Sequence, residues 1–395
     1  MKNLERLLRG VAQVFSRADL EKKLSLSRPL RVKLGVDPTS PDLHLGHTVA
    51  LNKLRQFQDA GHTVVFIIGD YTARIGDPSG RSETRPPLSA EAVAKNAATY
   101  LDQVYHVLDK NKTEVRRNSE WLEPLFANRD ADPRRTILGL MGRNTVQQLT
   151  EREDFQKRLK AGTPVSLLEL LYPLLQGYDS VAVQSDVEIG GTDQLFNLLR
   201  GRDLQADFGQ PPQVVMTLPL LEGTDGVKKM SKSYGNAIAL NDAPEDMFGK
   251  VMSLSDAMMW KYLELLTDRD PVPLRALHPM EAKKTLAGDL VTRYRGADAA
   301  TKARAHFETV FSKKGNPDDI PAYRVPRSPM SLTALMVEAG LAPSKNEARR
   351  LLAQGAVELA GERGTEEREI TVHSPLLIKV GKRQFRTLTP PAGTS

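Results

Sequence analysis

Thr63-Val64-Val65-Phe66-Ile67-Ile68 is a continuous apolar run of about one strand's length, the pattern expected of a strand buried on both faces of a parallel sheet. Upstream, Arg31-Val32-Lys33-Leu34-Gly35-Val36 is a second β-rich run, followed by a polar turn and an apolar-periodic stretch from Leu45 to Gln58. Strand, loop, helix, strand is the grammar of an α/β protein with a doubly wound parallel sheet. The pattern resumes with Val181-Ala182-Val183 leading to Val187-Glu188-Ile189, a glycine turn, a helix from Asp193 and the strand-like Val214-Val215-Met216-Thr217-Leu218. Between Leu88 and Tyr178 the sequence reads as mostly helical, and Ser166-Leu167-Leu168-Glu169 is a capping box that should start a helix. An insertion therefore splits the sheet.

The remainder of the 395 residues is too long for one core, so further domains are expected. From Pro244 to about Lys314 the pattern is helical, Asn316-Pro317-Asp318-Asp319-Ile320-Pro321 reads as a linker, and a small α/β module runs from about Pro329 to Leu388. The expected division is 1–240, 241–325 and 329–390, with a disordered tail from Thr389. The absence of cysteine excludes disulfides, thiolate metal sites and cysteine nucleophiles. A net charge of +6 favours phosphate-rich partners only weakly, because no basic patch is located by charge alone. Met1-Lys2-Asn3-Leu4-Glu5-Arg6 carries no apolar signal core, and no stretch approaches the roughly 18 apolar residues of a membrane span, so a cytoplasmic location without a membrane is expected.

Asp37-Pro38-Thr39-Ser40-Pro41-Asp42-Leu43-His44-Leu45-Gly46-His47 lies between the first strand and its helix, at the sheet edge where open α/β folds bind ligands. A helix amino terminus suits a phosphate, two imidazoles three residues apart would share a helical face, and Gly46 would admit an adenine or ribose close to the backbone. Two histidines there could equally be satisfied caps. The weighing changes with Lys229-Met230-Ser231-Lys232-Ser233, flanked by Gly226 and Gly235, since two lysines three apart can reach a triphosphate together and the glycines imply a mobile loop.

The pairing of these two signatures resembles the class I aminoacyl-tRNA synthetases, and the resemblance covers nearly the whole chain. It implies a Rossmann-like catalytic domain using ATP as substrate, with magnesium accompanying the nucleotide. It also implies that His44, His47, Lys229 and Lys232 stabilise the transition state as an amino-acid carboxylate attacks the α-phosphate. Asp37, Thr39, Gly46, Gly191, Asp193, Met230, Ser231 and Ser233 are implied around the ATP. Such catalysis is positioning plus charge stabilisation, and needs neither a protein nucleophile nor a dedicated metal cage.

Tyr172, Gln176 and Asp179 fall at i, i+4 and i+7 on a leucine-rich helix, a polar stripe that wants a reason. The stretch Tyr172-Pro173-Leu174-Leu175-Gln176-Gly177-Tyr178-Asp179 resembles the substrate helix of the tyrosyl family, and Ile189-Gly190-Gly191-Thr192-Asp193-Gln194 resembles the glycine turn after it. The resemblance implies that Tyr172, Gln176 and Asp77 hold the substrate amino group. It places Asp179 at the phenolic hydroxyl and Gln194 near the α-carbon, with Asp193 and Gly191 facing the ribose. A buried carboxylate waiting for a phenol is left unpaired by phenylalanine, a discrimination of order ten-thousand-fold for which a tyrosyl enzyme is the standard illustration. Asp77 sits in Gly76-Asp77-Pro78-Ser79-Gly80-Arg81, also a good turn sequence, and Arg81 and Arg85 are expected to assist either the ATP phosphates or the tRNA acceptor end. One departure stands out: where many relatives place a tyrosine before Cys-Gly-Phe-Asp-Pro-Thr, this chain has Lys33, which leaves the second contact to the phenol unassigned.

At the other end, Ser331 to Leu341, Ser344-Lys345-Asn346-Glu347-Ala348-Arg349-Arg350-Leu351-Leu352 and Gly355-Ala356-Val357-Glu358-Leu359 read as two helices and a hairpin, with Lys345, Arg349 and Arg350 along one side. The run resembles the S4 RNA-binding module, whose basic surface Lys379, Lys382, Arg383 and Arg386 would extend. The resemblance implies that, with the helical domain before it, this module grips tRNA(Tyr), that L-tyrosine is the amino acid, and that the enzyme is a homodimer. A tryptophanyl relative would lack the Tyr172 to Asp179 pattern and this module. Other nucleotidyltransferases would lack the lysine loop, and a non-catalytic RNA-binding paralogue would not need the nucleotide motifs intact.

Overall fold

A computed structural model describes residues 2–79, 88–127, 132–312, 320–360, 362–381 and 384–391, and the chain forms two compact units, Met1–Thr301 and Lys302–Ser395. The first is built on a six-stranded sheet of β1 (Gln13–Phe15), β2 (Arg31–Val36), β3 (Thr63–Ile68), β4 (Thr113–Arg117), β5 (Val187–Gly191) and β6 (Val214–Leu218), in the order β1-β6-β5-β2-β3-β4. All neighbours are parallel except β1, which pairs antiparallel with β6 at one edge. From β2 the chain winds outward through β3 to β4; after the insertion it returns to β5 beside β2 and winds the other way to β6. The strand order therefore reverses between β2 and β5, the place where open α/β sheets bind ligands outside the strands' carboxyl ends.

The central strands are buried as their composition requires: Val64 to Ile68 of β3 and all of β6 are inaccessible. Helix Leu45–Asp59 packs on β3 and β5 and sinks Leu45, Leu54 and Phe57 completely, each worth about 2 kcal/mol relative to exposure. Helices Leu167–Val183 and Leu195–Asp207 pack tightly on each other, and Gly177 permits it, because a Cβ there would stand 3.1 Å from the Arg200 carbonyl carbon.

Two expectations need correction, and two edge strands add to the expected set. Val181-Ala182-Val183 is the last turn of helix Leu167–Val183, not a strand; packing overrides β-branched propensity, and Gln184 ends the helix in the left-handed region at φ 50°. The stretch from Leu88 to Tyr178 contains β4, whose Thr-Glu-Val-Arg-Arg gives too weak an apolar signal for an edge strand to be read. The edge strand β1 was likewise invisible at three residues. The helix after the glycine turn begins at Leu195, preceded by a 3-10 turn Thr192–Gln194.

Helices Pro244–Met252, Asp256–Leu266, Pro271–Arg275 and Pro279–Arg295 follow the sheet within the first unit. In the second, helices Leu332–Glu338 and Lys345–Ala353 pack with a five-stranded sheet around Leu332, Leu335, Met336, Val357 and Ile378. The expected hairpin is there, Val357–Leu359 pairing antiparallel with Glu362–Gly364. Asn316 to Asp319 of the expected linker, and Ala392 to Ser395 of the tail, lie outside the described residues.

Candidate active site

A cavity of about 600 Å³ opens at the sheet's reversal point. Its walls come from the loop after β2, the loop after β3, helix Leu167–Val183, the turn after β5 and the loop after β6. Asp37, Thr39, His44, Gly46, His47, Asp77, Tyr172, Gln176, Asp179, Gly191, Asp193, Gln194, Lys229, Met230, Ser231, Lys232 and Ser233 all line it. Arg81 and Arg85 lie outside the described residues.

His44 and His47 do not share a helical face. His44 has extended backbone (φ −129°) and is the N-cap of helix Leu45–Asp59. Its Nδ1 accepts from the Gly46 N–H at 3.2 Å, while Nδ1 of His47 accepts from the His44 N–H at 3.2 Å, which brings the ring centroids to 3.9 Å. The bonding is a capping box made of imidazoles. Burial, aided by the Lys232 charge, lowers His44 to about 2 and His47 to about 4, so both rings are neutral at physiological pH. A neutral imidazole accepting at Nδ1 carries its proton on Nε2. Each ring thus offers one N–H donor and no charge. Gly46 is needed by this geometry, since a Cβ would stand 3.0 Å from the His44 ring.

The two signature motifs are joined through backbone. The Leu45 N–H donates to the Ile238 carbonyl at 3.0 Å and the Leu240 N–H to the Leu43 carbonyl at 3.0 Å. Between β6 and Ile238 the lysine loop is pinned by buried Met230, whose N–H meets the Leu221 carbonyl at 2.8 Å, and by Asn236. Asn236 Oδ1 accepts from the Ser231 N–H at 2.8 Å and its Nδ2 donates to Asp225 at 2.9 Å. The lysines rest on carboxylates: Lys229 Nζ is 3.5 Å from Asp193, and Lys232 pairs with Asp42.

Asp179, Asp37 and Asp77 face the same space. Asp179 is 3% exposed and accepts from Trp121 Nε1 at 2.8 Å and from the Asn118 side chain. Asp37 accepts from the Tyr172 hydroxyl at 2.9 Å and from Thr72 Oγ1 at 2.8 Å. Burial pushes both acids up to about 7, against these hydrogen bonds and, for Asp179, against the Lys33 charge. Asp77 accepts from Gln194 Nε2 at 2.7 Å and from the Ser79 N–H at 2.9 Å. Gly69 lies behind Asp37, where a Cβ would come within 2.1 Å of its Oδ1. Asn118 and Trp121 escaped the sequence reading because β4, whose end positions them, was not recognised.

Lys33 has no proton to spare for a substrate. Fully buried, its Nζ donates to Glu188 at 2.8 Å, Ser180 Oγ at 2.8 Å and the Gln176 carbonyl at 3.1 Å. Its contribution to the site is a fixed positive charge beneath the helix that carries Gln176 and Asp179.

In the second unit, Lys345, Arg349 and Arg350 are exposed on helix Lys345–Ala353, which Ser344 caps. Arg350 also pairs with Glu347 at 2.6 Å, a surface contact worth little. Arg386 donates to the Phe385 carbonyl at 2.9 Å, and Lys382 and Arg383 lie outside the described residues. Among the described residues no helix is long and apolar enough to cross a membrane, and no three His, Asp or Glu side chains converge as a metal cage would.

Comparison with known proteins shows the family to which the chain belongs. The family model described as tRNA synthetases class I (W and Y) matches residues 25–312, and that of the tyrosine–tRNA ligase SYY-like C-terminal domain matches 313–386. Among curated relatives, the tyrosine–tRNA ligase of Oleidesulfovibrio alaskensis is 49% identical over 397 residues, 98% of each chain. That of Aquifex aeolicus is 50% identical over 381 residues, 95% of each. Among solved structures, the tyrosyl-tRNA synthetase of Archaeoglobus fulgidus complexed with L-tyrosine matches with a TM-score of 0.61 at 21% identity, covering 77% of this chain and 98% of that one. A truncated mitochondrial tyrosyl-tRNA synthetase of Coccidioides posadasii matches at 0.62 and 23%, covering 77% and 90%. These structural likenesses establish the fold.

Proposed function

Because the chain belongs to the class I tRNA synthetases for tryptophan and tyrosine, and among them to the tyrosine–tRNA ligases, we propose how its own residues carry out that reaction. The protein is an ATP-dependent tyrosine–tRNA ligase, which activates L-tyrosine to tyrosyl-adenylate and pyrophosphate and then transfers tyrosine to the 3′ end of tRNA. The observation that carries the residue assignment is the union of both nucleotide motifs and the Tyr172 to Asp179 stripe in one cavity.

Tyrosine's phenol donates to Asp179, oriented by Trp121 and Asn118. Its ammonium is held by Asp77, Tyr172 and Gln176, with Gln194 beside the α-carbon. The carboxylate attacks the α-phosphate, and the charge that develops there meets the two Nε2–H donors of His44 and His47 and the ammonium groups of Lys229 and Lys232. Because both imidazoles are neutral donors held by their own caps, they stabilise charge without proton transfer and without reorganising. Lys229 and Lys232 must leave Asp193 and Asp42 to reach the phosphates; a ribose hydroxyl on Asp193 would supply the exchange for Lys229. Asp37, Thr39, Gly46, Gly191, Met230, Ser231 and Ser233 shape the nucleotide's surroundings. Among the described residues no side chains form a metal cage, so magnesium would travel on the phosphates and no step is assigned to it.

The exposed Lys345, Arg349 and Arg350, with Arg81 and Arg85, are assigned to tRNA(Tyr), and domains at 1–240, 241–325 and 329–390 divide the labour. A homodimer is supported by Leu138, Val146, Leu159 and Leu167, each more than half exposed on helices that pack on one another. A cytoplasmic location accords with the absence of a membrane-crossing helix among the described residues. ATP–pyrophosphate exchange with each amino acid separately tests the assignment: tyrosine alone should support it, and exchange with tryptophan instead would refute it.

A further inference from the structure

Behind the residues assigned to the substrate ammonium lies a buried polar chain that the reaction as described leaves unused. Arg152, only 5% exposed, precedes helix Glu153–Lys160 of the insertion and is paired bidentately with Asp154, its Nη2 2.6 Å and its Nε 2.9 Å from the carboxylate. Its Nη1 donates to Asn197 Oδ1 at 2.9 Å and its Nη2 to Ser79 Oγ at 3.1 Å. Asn197, 1% exposed, turns its Nδ2 to Gln176 Oε1 at 2.9 Å, to Gln194 Oε1 at 3.1 Å and, more distantly, to Ser79 Oγ at 3.3 Å. Gln194 Nε2 then reaches Asp77 Oδ2 at 2.7 Å, while the Ser79 N–H reaches Asp77 Oδ1 at 2.9 Å.

This chain admits one polarity. A guanidinium can only donate, so it fixes the Asn197 oxygen toward itself and the Asn197 nitrogen away. That nitrogen holds the oxygens of both glutamines, which leaves the Gln194 nitrogen for Asp77, and an ionised carboxylate can only accept. The two ends agree, and every amide between them has one orientation. Both oxygens of Asp77 are positioned from Arg152, one through Asn197 and Gln194, the other through Ser79.

We propose that Arg152 and Asn197 are positioning residues for the ammonium group of tyrosine, acting through the orientation of Gln176, Gln194 and Asp77. The inference rests on the assignment of Asp77, Tyr172 and Gln176 to that group. It places the specificity for an α-amino acid partly in the helical insertion rather than in the sheet.

The test compares three ligands on the full chain: L-tyrosine, tyramine, and 3-(4-hydroxyphenyl)propionate, which keeps the phenol and lacks the amine. Asn197→Asp puts an acceptor against the two glutamine oxygens and forces them to turn. The KM for tyrosine and the Ki of tyramine in ATP–pyrophosphate exchange should rise about tenfold or more, with the Ki of the amine-free acid unchanged within about twofold. Equal loss for all three ligands, or none for any, overturns the proposal. Asp77→Asn measured on the same panel separates the layers: if it too spares the amine, the ammonium assignment itself is wrong, whereas amine-specific loss in Asp77→Asn but not in Asn197→Asp refutes only the role of Asn197 and Arg152. Should Asn197→Asp not fold, Arg152→Lys, which keeps the charge and loses the forked donors, carries the same comparison with the same deciding outcomes.

Discussion

Asp179 sits in a site that disfavours its charge, and two effects of that burial can be measured separately. The folded chain holds its proton to about 7, against an ordinary 3.8. Between those values the folded state binds more protons than the unfolded one, so this group's contribution to stability is complete below the lower value and is lost as pH rises through the upper. Asp179→Asn removes that loss: its apparent Tm relative to the parent should climb by about 1–3 °C from pH 5 to pH 8, and a pH-independent difference would mean the acid titrates normally. The same substitution should erode selectivity for tyrosine over phenylalanine in pyrophosphate exchange; preserved selectivity would mean the phenol is read elsewhere. Lys232→Ala makes the complementary case and should lower the activation rate far more than it weakens tyrosine binding, because the proposed contact is to the transition state. An unchanged rate in single-turnover measurements would refute it. At this scale the lysine pair was legible only beside the histidine motif, and both motifs line the cavity. The sequence was silent on Lys33, since nothing local shows that Glu188, distant in sequence, consumes its charge.

Elements turn these residues into a site through their ends. Helix Leu45–Asp59 delivers two neutral imidazoles because they are its cap, and β2 and β5 deliver Asp37 and Gly191 because each strand stops at the reversal of strand order. The long apolar strands and the Ser166 capping box were legible, being periodic or punctuated; β1 and β4 were not, being short edge strands whose pairing is decided by partners far along the chain. Nor could the flanking glycines reveal how the lysine loop is held. Gly226 and Gly235 do adopt positive φ, at 70° and 65°, but the restraint comes from Asn236. Asn236→Ala removes the partner of the Ser231 N–H and of Asp225 Oδ2 and alters neither lysine. It should lower kcat for pyrophosphate exchange about tenfold and change the KM for tyrosine less than about twofold, as expected when only transition-state contacts are lost. A parallel rise in KM would instead tie the loop to tyrosine binding.

For the molecule as a whole, the cavity belongs to the first compact unit and the exposed Lys345 and Arg349 to the second, so perturbing these two side chains should leave the assay of the chemistry intact. Reversing charge in the second unit with Lys345→Glu and Arg349→Glu should raise the KM for tRNA about tenfold and flatten its salt dependence, with pyrophosphate exchange unaffected, because phosphate contacts act through counterion release. Loss of exchange would show that these side chains serve the catalytic unit. Self-association is the remaining whole-molecule property. Leu167 is 80% exposed at the start of the helix that also carries Tyr172, Gln176 and Asp179, and Leu138, 70% exposed, belongs to helix Ile137–Met141 packed against it. The proposed homodimer would bury these exposed apolar side chains, on helices otherwise committed to the core, against a second copy. Leu138→Glu with Leu167→Glu should therefore shift the sedimentation coefficient from dimer to monomer at micromolar concentration. Since the first turn of the substrate helix would then lose its partner, the KM for tyrosine should rise with dissociation and recover as protein concentration is increased. A parent protein that already sediments as a monomer would remove the premise, and a dissociated variant with an unaltered KM would show that the helix is held by the first unit alone.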